Sequence, residues 1–387
     1  MVICFDASPE GKRSLDILLE TGQFRDTSEA VSMALVNYAA ICAAHAEGGQ
    51  DAVDSLVRQL GNKATVEYNA SSIRIREPLK KGAAKPVLRI PDIFTLKSSS
   101  TDGLTLLPVI EIAGANRHDL PPAKWLFGQY NKFLPVKSAC RALLNLLREQ
   151  PAGVPLGEAL ETISNAAWEL GDYLYTQDQR GKRSREDALT AAFPTSASSG
   201  AVSRIRFANQ FIGDLRQPKQ NENQPREVKF NGFPAALQFI ACSDDKEPLL
   251  RLTTAGAEFA ILQSPVLDCA GDLATRKFSE VETDFLLVHV SRSVPEETSA
   301  YSAIVDSVGE GADTPNEVDK YLCRKFRLQI AAKAEAEYEI TQTFLTTQRT
   351  GAISRMADLG LIARNKNGLH VTYKITALGE RFRNQIQ

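Results

Sequence analysis

The clearest hydrophobic pattern in the chain predicts a helix among its last fifty residues. Ile353, Met356 and Leu359 recur at helical spacing, so their side chains would share one buried face. Gly360 follows, at the position where a glycine commonly ends a helix. We therefore expect a helix from Thr346 to Asp358, with the polar side chains between these apolar ones facing outward.

A β-hairpin is predicted directly after this helix. Two alternating segments, 361–364 and 369–376, flank a polar turn, 365–368, that ends in Asn-Gly. An Asn-Gly pair between alternating segments is the strongest short-range signal for a hairpin. A helix followed by a hairpin resembles the winged helix-turn-helix family of regulators. The resemblance implies that the helix enters the major groove of DNA and that the hairpin, or wing, lies along the DNA backbone.

An eight-residue pattern occurs twice in the chain. Residues 375–382 read Ile-Thr-Ala-Leu-Gly-Glu-Arg-Phe, and residues 252–259 read Leu-Thr-Thr-Ala-Gly-Ala-Glu-Phe. In both copies a threonine at the end of a strand is placed to cap the helix that follows. The longer stretch before each copy also has the pattern of helices and then a hairpin. We therefore expect an internal duplication and two winged-helix units.

Residues 1–45 have the pattern of one strand and two helices. Alternation over residues 2–7 predicts the strand, and Ser8 is placed to cap the first helix. A Gly-x-Phe turn at 22–24 and the string Thr-Ser-Glu at 27–29 then begin the second helix. This arrangement resembles the ribbon-helix-helix family of DNA-binding dimers.

That resemblance implies a homodimer formed through residues 1–45, whose paired strands lie in the major groove. It also implies that Ser28, with the free backbone N–H groups beside it, grips a DNA phosphate. The outward strand residues, however, are Cys4 and Asp6, where the family usually has basic or amide side chains. Because an aspartate that faces phosphates is unfavourable, a dimerisation cap without DNA contact stays open as the alternative.

These patterns together predict a mainly α chain with small β wings, in which an N-terminal ribbon-helix-helix precedes two winged-helix units. Four regions are expected: a ribbon-helix-helix-like module at 1–62, a linker with a small β-rich element at 63–123, a first winged-helix-like domain at 124–270 and a second at 271–387. The last region should contain helices at 299–308 and 314–326. A strand is expected at 283–290, because these residues are largely apolar.

Composition narrows the class of protein. A chain of 387 residues suits several domains, and its 43% hydrophobic and 24% charged residues are typical of soluble globular proteins. No run of eighteen apolar residues occurs, so no membrane span is expected. The six cysteines are scattered without paired spacing, which fits buried thiols in the cytoplasm. Since the net charge is −2, binding to nucleic acid would depend on local basic faces.

The sequence does not favour an enzyme. His118-Asp119 is an isolated dipeptide, and the four histidines have no spacing typical of metal ligands. Pro91-Asp92 followed by Glu111 lacks the lysine that a nuclease site would add. No glycine-rich phosphate loop occurs. We therefore expect no catalytic residues, no metal and no cofactor.

The candidate DNA-binding residues of the second unit come from its helix and its wing. After residue 340 the chain has seven basic residues and two acidic ones, which is the local charge that DNA binding needs. Gln348 and Arg349 can each offer a bidentate pair to one base edge, Gln348 to adenine and Arg349 to guanine. Further along the helix, Ser354 and Arg355 are expected to contact the DNA backbone. In the wing, the residues expected to reach a phosphate or the minor groove are Arg364 and Lys366.

The first unit offers two more basic groups. A polar loop is expected to contact phosphates through four residues, Arg180, Lys182, Arg183 and Arg185. The helix that follows residue 200 should present Arg204 and Arg206 outward, with Val202, Ile205, Phe207 and Phe211 inward.

The predicted function is DNA binding, either as a transcription regulator or as the DNA-recognition subunit of a larger protein complex, with double-stranded DNA as the partner. The alternative is a protein-interaction scaffold, because winged helices also serve as docking modules and Asp6 is unfavourable in a ribbon. The target sequence and any small-molecule ligand are not visible in the sequence.

Overall fold

The structure is a computed structural model, which describes most of the chain from residue 89 onward. The described residues there are 89–110, 120–184, 187–196, 200–216, 229–243, 247–268, 276–330, 339–368 and 370–386. Before residue 89 it describes the backbone of two strands, β1 (Thr65–Asn69) and β2 (Ser72–Arg76). The predicted dimer module at 1–45, including Ser28, lies outside the described residues.

The chain divides into two compact units, 1–87 and 88–387. In the first unit, β1 and β2 form an antiparallel hairpin, in register from the pair Thr65–Arg76 to the pair Asn69–Ser72. This hairpin falls within the region 63–123, where the sequence predicts a β-rich element.

The second unit is mainly helical with small sheets, as the hydrophobic pattern predicts. Its described part contains ten α-helices: α1 (Phe133–Leu147), α2 (Leu156–Gly181), α3 (Gly200–Phe211), α4 (Phe233–Ala236), α5 (Thr254–Ile261), α6 (Glu280–Ser293), α7 (Pro295–Gly309), α8 (Pro315–Lys325), α9 (Gln342–Asp358) and α10 (Ala377–Ile386).

The strands of this unit are short. They are β3 (Val154–Pro155), β4 (Asp214–Arg216), β5 (Lys229–Asn231), β6 (Ile240–Cys242), β7 (Leu249–Leu252), β8 (Gln329–Ile330), β9 (Glu339–Ile340), β10 (Ile362–Asn367) and β11 (His370–Ile375). The antiparallel sheet β3-β7-β6 has three strands, while β4 with β5 and β10 with β11 form antiparallel pairs. β8 pairs with β9 in parallel.

The strand expected at 283–290 is wrong, because these residues lie inside α6. A capping box begins this helix: Ser279 Oγ accepts a hydrogen bond from the Glu282 backbone N–H at 3.2 Å, and Glu282 Oε2 accepts one from the Ser279 N–H at 2.9 Å. The two reciprocal bonds satisfy donors that a helix otherwise leaves unpaired. Local capping therefore favours a helix for an apolar run whose pattern also fits a strand.

The two hairpins that precede the repeated motif begin with the same local geometry. In the first copy, the turn after α4 brings the Phe239 N–H to Pro234 O at 2.8 Å. In the second, the turn after α9 brings the Leu361 N–H to Met356 O at 2.9 Å. The residue just before each of these donors has a left-handed backbone, with φ of 55° at Gln238 and 73° at Gly360. The short α4 therefore corresponds to the C-terminal end of α9.

The two hairpins also end in the same way. Thr253 Oγ1 accepts from the Gly256 N–H at 3.0 Å, and Thr376 Oγ1 accepts from the Gly379 N–H at 3.0 Å. Each threonine thereby caps the next helix, α5 or α10, as the repeated pattern predicts. Each glycine allows a close approach, since an added Cβ would lie 2.0 Å from Phe239 O at Gly256 and 2.2 Å from Leu361 O at Gly379.

The hydrophobic core of the second unit is built around α1, which is buried on nearly every side. Two cations of α1, Lys137 and Arg141, are fully buried at the C-terminal end of α5. Both donate to Leu262 O, Lys137 at 2.7 Å and Arg141 at 2.9 Å. Each also pairs with a carboxylate, Lys137 with Glu282 at 2.9 Å and Arg141 with Asp268 at 2.7 Å.

Together these two cations satisfy carbonyls that a helix end otherwise leaves unpaired. Burial lowers the pKa of Lys137 to about 8, although Glu282 acts in the opposite direction. The pair of cations therefore ties α1, α5 and α6 into one core.

Candidate nucleic-acid interface

Helix α9 is the element that would read DNA if the winged-helix resemblance held in full. It begins at Gln342, four residues earlier than predicted, because Thr341 Oγ1 caps it by accepting from the Phe344 N–H at 3.1 Å. The expectation that its polar residues face outward is wrong. The exposed fraction is 3% for Gln348, 5% for Arg349 and 0% for Arg355.

Gln348 is buried because α9 packs against a segment of the chain that precedes α1. Its side-chain oxygen accepts from the Gly128 N–H at 2.5 Å, and its amide nitrogen donates to Pro122 O at 3.0 Å. The backbones are in close contact here, since an added Cβ at Gly351 would lie 2.0 Å from Gly128 O. Gln348 is thus not available to an adenine.

Arg349 is held by the neighbouring helix and by the wing. Its guanidinium donates to both carboxylate oxygens of Asp319 in α8, at 2.6 and 3.3 Å, and to the Tyr373 hydroxyl at 3.2 Å. This bidentate pair uses the planar fork that would otherwise read a guanine. Arg349 therefore joins α8, α9 and β11.

Arg355 is the most buried of the three. It pairs with both oxygens of Glu297 in α7, Nη2 lying 2.7 Å from Oε2, and it also donates to Tyr130 O. Glu297 is itself 0% exposed. Such a pair has no surface from which to contact a DNA backbone, so the predicted role of Arg355 is wrong.

The hairpin predicted as the wing is present, although its strands are longer and its turn is tighter. Asn367 pairs with His370, so Gly368 and residue 369 alone connect β10 to β11. Gly368 has a φ of 60°, which favours glycine. Arg364 and Lys366 are two residues apart in β10, so their side chains lie on the same side of the strand, and both are exposed.

These two wing residues line a cleft of about 1910 Å³. On the opposite side the cleft is lined by the segment before α1, the loop after α2 and the start of α6. Ser354 of α9 is half-buried and lies in this cleft, together with Thr350 and Ala357.

Basic side chains outnumber acidic ones along the cleft. Among the described residues, eight basic side chains line it: Lys132, Arg183, Arg276, Lys277, Arg349, Arg364, Lys366 and Arg381. Four acidic side chains do so: Asp187, Glu280, Asp284 and Asp358. Two of these basic side chains, Arg349 and Arg183, pair with Asp319 and Asp178, which do not line the cleft, so the positive excess is smaller than the count of lining residues.

The four basic residues expected in the loop after α2 do not form one group. Arg180 and Lys182 are exposed but lie outside the cleft, and Arg180 lines a smaller recess of about 680 Å³. Arg183 lines the cleft and lies 3.5 Å from Asp178 Oδ1. Arg185 lies outside the described residues.

The buried face of α3 differs from the one predicted from the sequence. Phe207 and Phe211 are buried as expected, but Val202 and Ile205 are 56% and 58% exposed, so their inward assignment is wrong. The Arg204 guanidinium donates to Asn165 Oδ1 at 2.7 Å and lies 5.9 Å from the centre of the Trp168 ring. Arg206 is exposed, and neither arginine lines the cleft.

Sequence reasoning missed four cleft residues, namely Lys132, Arg276, Lys277 and Arg381. Arg381 belongs to the repeated motif and could have been chosen from its charge. Lys132 and Lys277 have no local signal, because only the fold brings residues so distant in sequence together. Both ammonium groups contact the same oxygen of Asp358, at 3.1 and 3.0 Å.

The described residues contain no group of three or more His, Cys, Asp or Glu side chains that could hold a metal ion. Of the histidines, His289 is buried, and its Nε2 lies 2.7 Å from Leu237 O. Burial lowers the pKa of this imidazole. None of the helices described is both long and apolar enough to cross a membrane.

In comparisons with known proteins, the chain matches no family model, no curated protein and no solved structure.

Proposed function

We propose that this protein binds duplex DNA through the phosphate backbone, using the wing β10–β11 and the basic cleft beside it. In this proposal the stretches 133–261 and 295–386 are two winged-helix units. Each contains helices, a hairpin and a threonine-capped helix in the same order. The second unit supplies the wing, and the opposite wall comes from the segment before α1, the loop after α2 in the first unit and the start of α6.

The observation that carries the proposal is the convergence of basic side chains from distant parts of the chain. Arg364, Lys366 and Arg381 come from the wing and α10, while Arg183 and Lys277 come from the opposite wall. Duplex DNA presents two closely spaced rows of phosphates, and cations that neutralise them supply most of the non-specific affinity. A cleft with basic residues on both walls can contact more than one phosphate at once.

Size and lining favour a nucleic-acid backbone over other ligands. A cleft of about 1910 Å³ exceeds the roughly 300–1,000 Å³ of typical small-molecule pockets. Sites for single strands usually stack bases on exposed aromatic rings. The described aromatic residues that line this cleft, Phe278, Tyr373 and Phe382, are instead all buried, at 4%, 6% and 3% exposed.

The proposal changes the role of α9 from the one predicted from sequence. Gln348, Arg349 and Arg355 are occupied within the protein, so α9 stabilises the fold and does not read bases. Binding should therefore depend on phosphates and only weakly on DNA sequence. Among the predicted site residues, those that line the cleft and keep a place in the interface are Arg183, Ser354, Arg364 and Lys366.

A salt titration tests the proposal. Affinity for a short duplex of arbitrary sequence should fall steeply with salt concentration, since each phosphate contact contributes a slope of about 0.9 in log K against log salt. Arg364→Ala with Lys366→Ala should reduce that slope by about 2. Lys374→Ala is the matched control, because Lys374 is exposed on the same wing but outside the cleft.

The absence of salt-sensitive binding to any duplex would overturn this function. That result would favour the second candidate, a protein-interaction scaffold. One observation supports the scaffold: Val202 and Ile205 expose an apolar patch on α3, of the kind that partner proteins cover.

The proposed dimer rests on the sequence resemblance alone. A single strand needs a partner for its backbone groups, so deletion of residues 1–45 should convert a dimer into a monomer. Light scattering measures this directly. A full-length monomer, or a dimer that survives the deletion, would contradict the assignment.

A further inference from the structure

The smaller recess, beside Arg180, has the size of a small-molecule site. Its volume is about 680 Å³, which lies within the roughly 300–1,000 Å³ typical of pockets for small ligands. Three parts of the chain bound it: the segment 89–96, the C-terminal half of α2 and the loop after α5. None of the described residues that line it also lines the cleft, so the recess is separate from the proposed DNA interface.

Helix α2 forms one wall of the recess with three polar side chains at helical spacing. Tyr173, Gln177 and Arg180 all line the recess, and residues three and four apart share one face of a helix. Tyr173 is buried, Gln177 is half-buried and Arg180 is exposed. This wall therefore passes from an aromatic ring at its base to a guanidinium at its rim. Among the described residues, the Arg180 side chain has no hydrogen-bond or ion-pair partner.

The other two walls are held in place by helix α1. Asn145 Nδ2 donates to Ile93 O at 2.8 Å and to Thr95 O at 2.9 Å, which fixes the segment before α1. Arg141, four residues earlier on α1, donates to both carboxylate oxygens of Asp268 at 2.7 and 3.1 Å, which fixes the loop after α5. Because its walls are already held, the recess is preformed, and a ligand would pay little to order it.

The lining of the recess combines apolar surface with a few polar groups. Ile90, Leu96 and Leu267 supply the aliphatic side chains. Gln177 and Gln263, from opposite walls, supply two side-chain amides, each of which can both donate and accept hydrogen bonds. Mainly apolar walls with a few convergent polar groups are the usual composition of a site for a small organic molecule.

The charged groups of the recess favour an anionic ligand. Among its described lining residues, Arg89 and Arg180 are basic and Asp268 is acidic. The carboxylate of Asp268 is already engaged by the buried Arg141. Arg89 lies 3.8 Å from Asp92, but both are largely exposed, and an exposed pair of this kind contributes little. A guanidinium such as that of Arg180 binds a carboxylate through two parallel hydrogen bonds.

We propose that this recess binds a small aromatic carboxylate, whose ring packs against Tyr173 and Leu96 and whose carboxylate pairs with Arg180. An aromatic ring suits the site because it packs favourably on the ring of a buried tyrosine. A single negative charge suits it better than the two of a phosphate ester, since the carboxylate of Asp268 lines the same recess and like charges repel. The proposal goes beyond DNA binding and does not depend on it.

The test uses three probes that share one ring system, titrated into the full chain by isothermal calorimetry. The first probe, β-naphthoate, has the proposed carboxylate and should bind saturably at a single site. The second, β-naphthamide, has the same rings without the charge and should bind more weakly, because it cannot form the ion pair. The third, β-naphthyl phosphate, adds a second negative charge and should also bind more weakly than β-naphthoate.

Variants then place the probe in the recess. Arg180→Gln should weaken binding of β-naphthoate about tenfold, as loss of a hydrogen bond to a charged group implies, and should leave the affinity for β-naphthamide unchanged. Leu96→Trp should block both probes by filling the recess. Arg206→Gln is the matched control, because Arg206 is exposed and lines neither the recess nor the cleft. Thermal unfolding shows whether each variant is folded.

Several outcomes would overturn the proposal. The absence of saturable binding of β-naphthoate to the unaltered protein would do so, and this measurement needs no variant. Equal affinity for β-naphthamide, or tighter binding of β-naphthyl phosphate, would contradict a carboxylate site. A folded Arg180→Gln or Leu96→Trp variant that binds β-naphthoate as tightly as the unaltered protein would show that the probe binds elsewhere.

Discussion

The two repeated hairpins share a backbone design but carry different charges. Both follow a helix that ends in a left-handed turn, and both lead into a threonine-capped helix. The segment from Ile240 to Leu252 contains three acidic and two basic residues, whereas the segment from Ile362 to Ile375 contains three basic residues and no acidic ones. The common backbone reflects packing needs, so the difference in charge is the better indicator of where DNA would bind.

The helices before the two hairpins, α4 and α9, also differ in side-chain chemistry, and they contact each other. Phe233 of α4 corresponds to Arg355 of α9, at the same distance before the turn. Phe233 belongs to an aromatic cluster with Tyr130 and Phe133, whose ring centres lie 5.4 and 5.3 Å away. The Arg355 guanidinium lies 5.7 Å from the centre of the Phe233 ring. The two helix ends thus contact each other through positions at the same distance before each turn, an apolar residue in α4 and a charged residue in α9.

The largest expected effects come from this contact. Arg355→Ala would leave Glu297 buried without its charge partner, and loss of one partner from a buried pair costs about 3–5 kcal/mol. Phe233→Ala should cost a similar amount, about 3–5 kcal/mol, through the cavity it leaves. Urea unfolding measures both.

Arg364→Ala is the control for these variants, because Arg364 is exposed on the wing and its removal should leave the free energy of unfolding nearly unchanged. An Arg355→Ala variant as stable as the unaltered protein would contradict the buried position of this residue. That outcome would return Arg355 to the list of candidate DNA contacts.

The two glycines after the capping threonines should give the next largest effects. Gly256→Ala and Gly379→Ala would each bring a methyl group against a backbone carbonyl, and overpacking of this kind costs roughly 1–3 kcal/mol or more. Gly157→Ala is the matched control, since nothing lies within 4 Å of an added Cβ there. If one glycine tolerates alanine and the other does not, the two copies are not equivalent in packing.

The capping threonines should give smaller and equal losses. Thr253→Ala and Thr376→Ala each remove one N-cap acceptor, which costs about 0.5–2 kcal/mol. Serine at either position keeps the hydroxyl and should recover most of the loss. The comparison is sharpened by measuring all four variants in the same thermal unfolding experiment, where a large difference between the two alanine variants would argue against a shared capping geometry.

Local features of the second unit could be predicted from sequence, and long-range ones could not. The hairpin after α9, the cap at Thr376 and the repeated motif all depend on neighbours within a few residues, so short patterns contain the necessary information. The apolar run in α6 fits both helix and strand, and the capping box at Ser279 is the local signal that favours the helix.

The burial of Gln348 and Arg355 had no comparable local sign. Their partners, Gly128 and Tyr130, lie more than two hundred residues away in sequence. A helix that is buried on one side shows an apolar stripe in its sequence. Helix α9 is buried on a second side too, and there its polar residues are held by hydrogen bonds and ion pairs. In the sequence these polar residues look like an exposed face. Gly351 was the remaining clue, because a glycine inside a helix often permits close packing.

The smallest expected effect concerns the DNA sequence itself. Before the first hairpin, helix α4 is only four residues long. Before the second hairpin, the two residues of α9 that were predicted to read bases, Gln348 and Arg349, are buried. Neither copy therefore offers a helix that can place a bidentate side chain against a base edge, and each such pair is worth about 1–3 kcal/mol of discrimination. We expect duplexes of unrelated sequence to bind within about tenfold of one another, well below the roughly 10³-fold or greater preference of sequence-specific proteins. Competition between a pool of random duplexes and the unselected starting pool measures this ratio. Enrichment of one sequence by a thousandfold would mean that α9 leaves its packed position when DNA binds. The packing of α9 described here would then be one of two conformations of the protein.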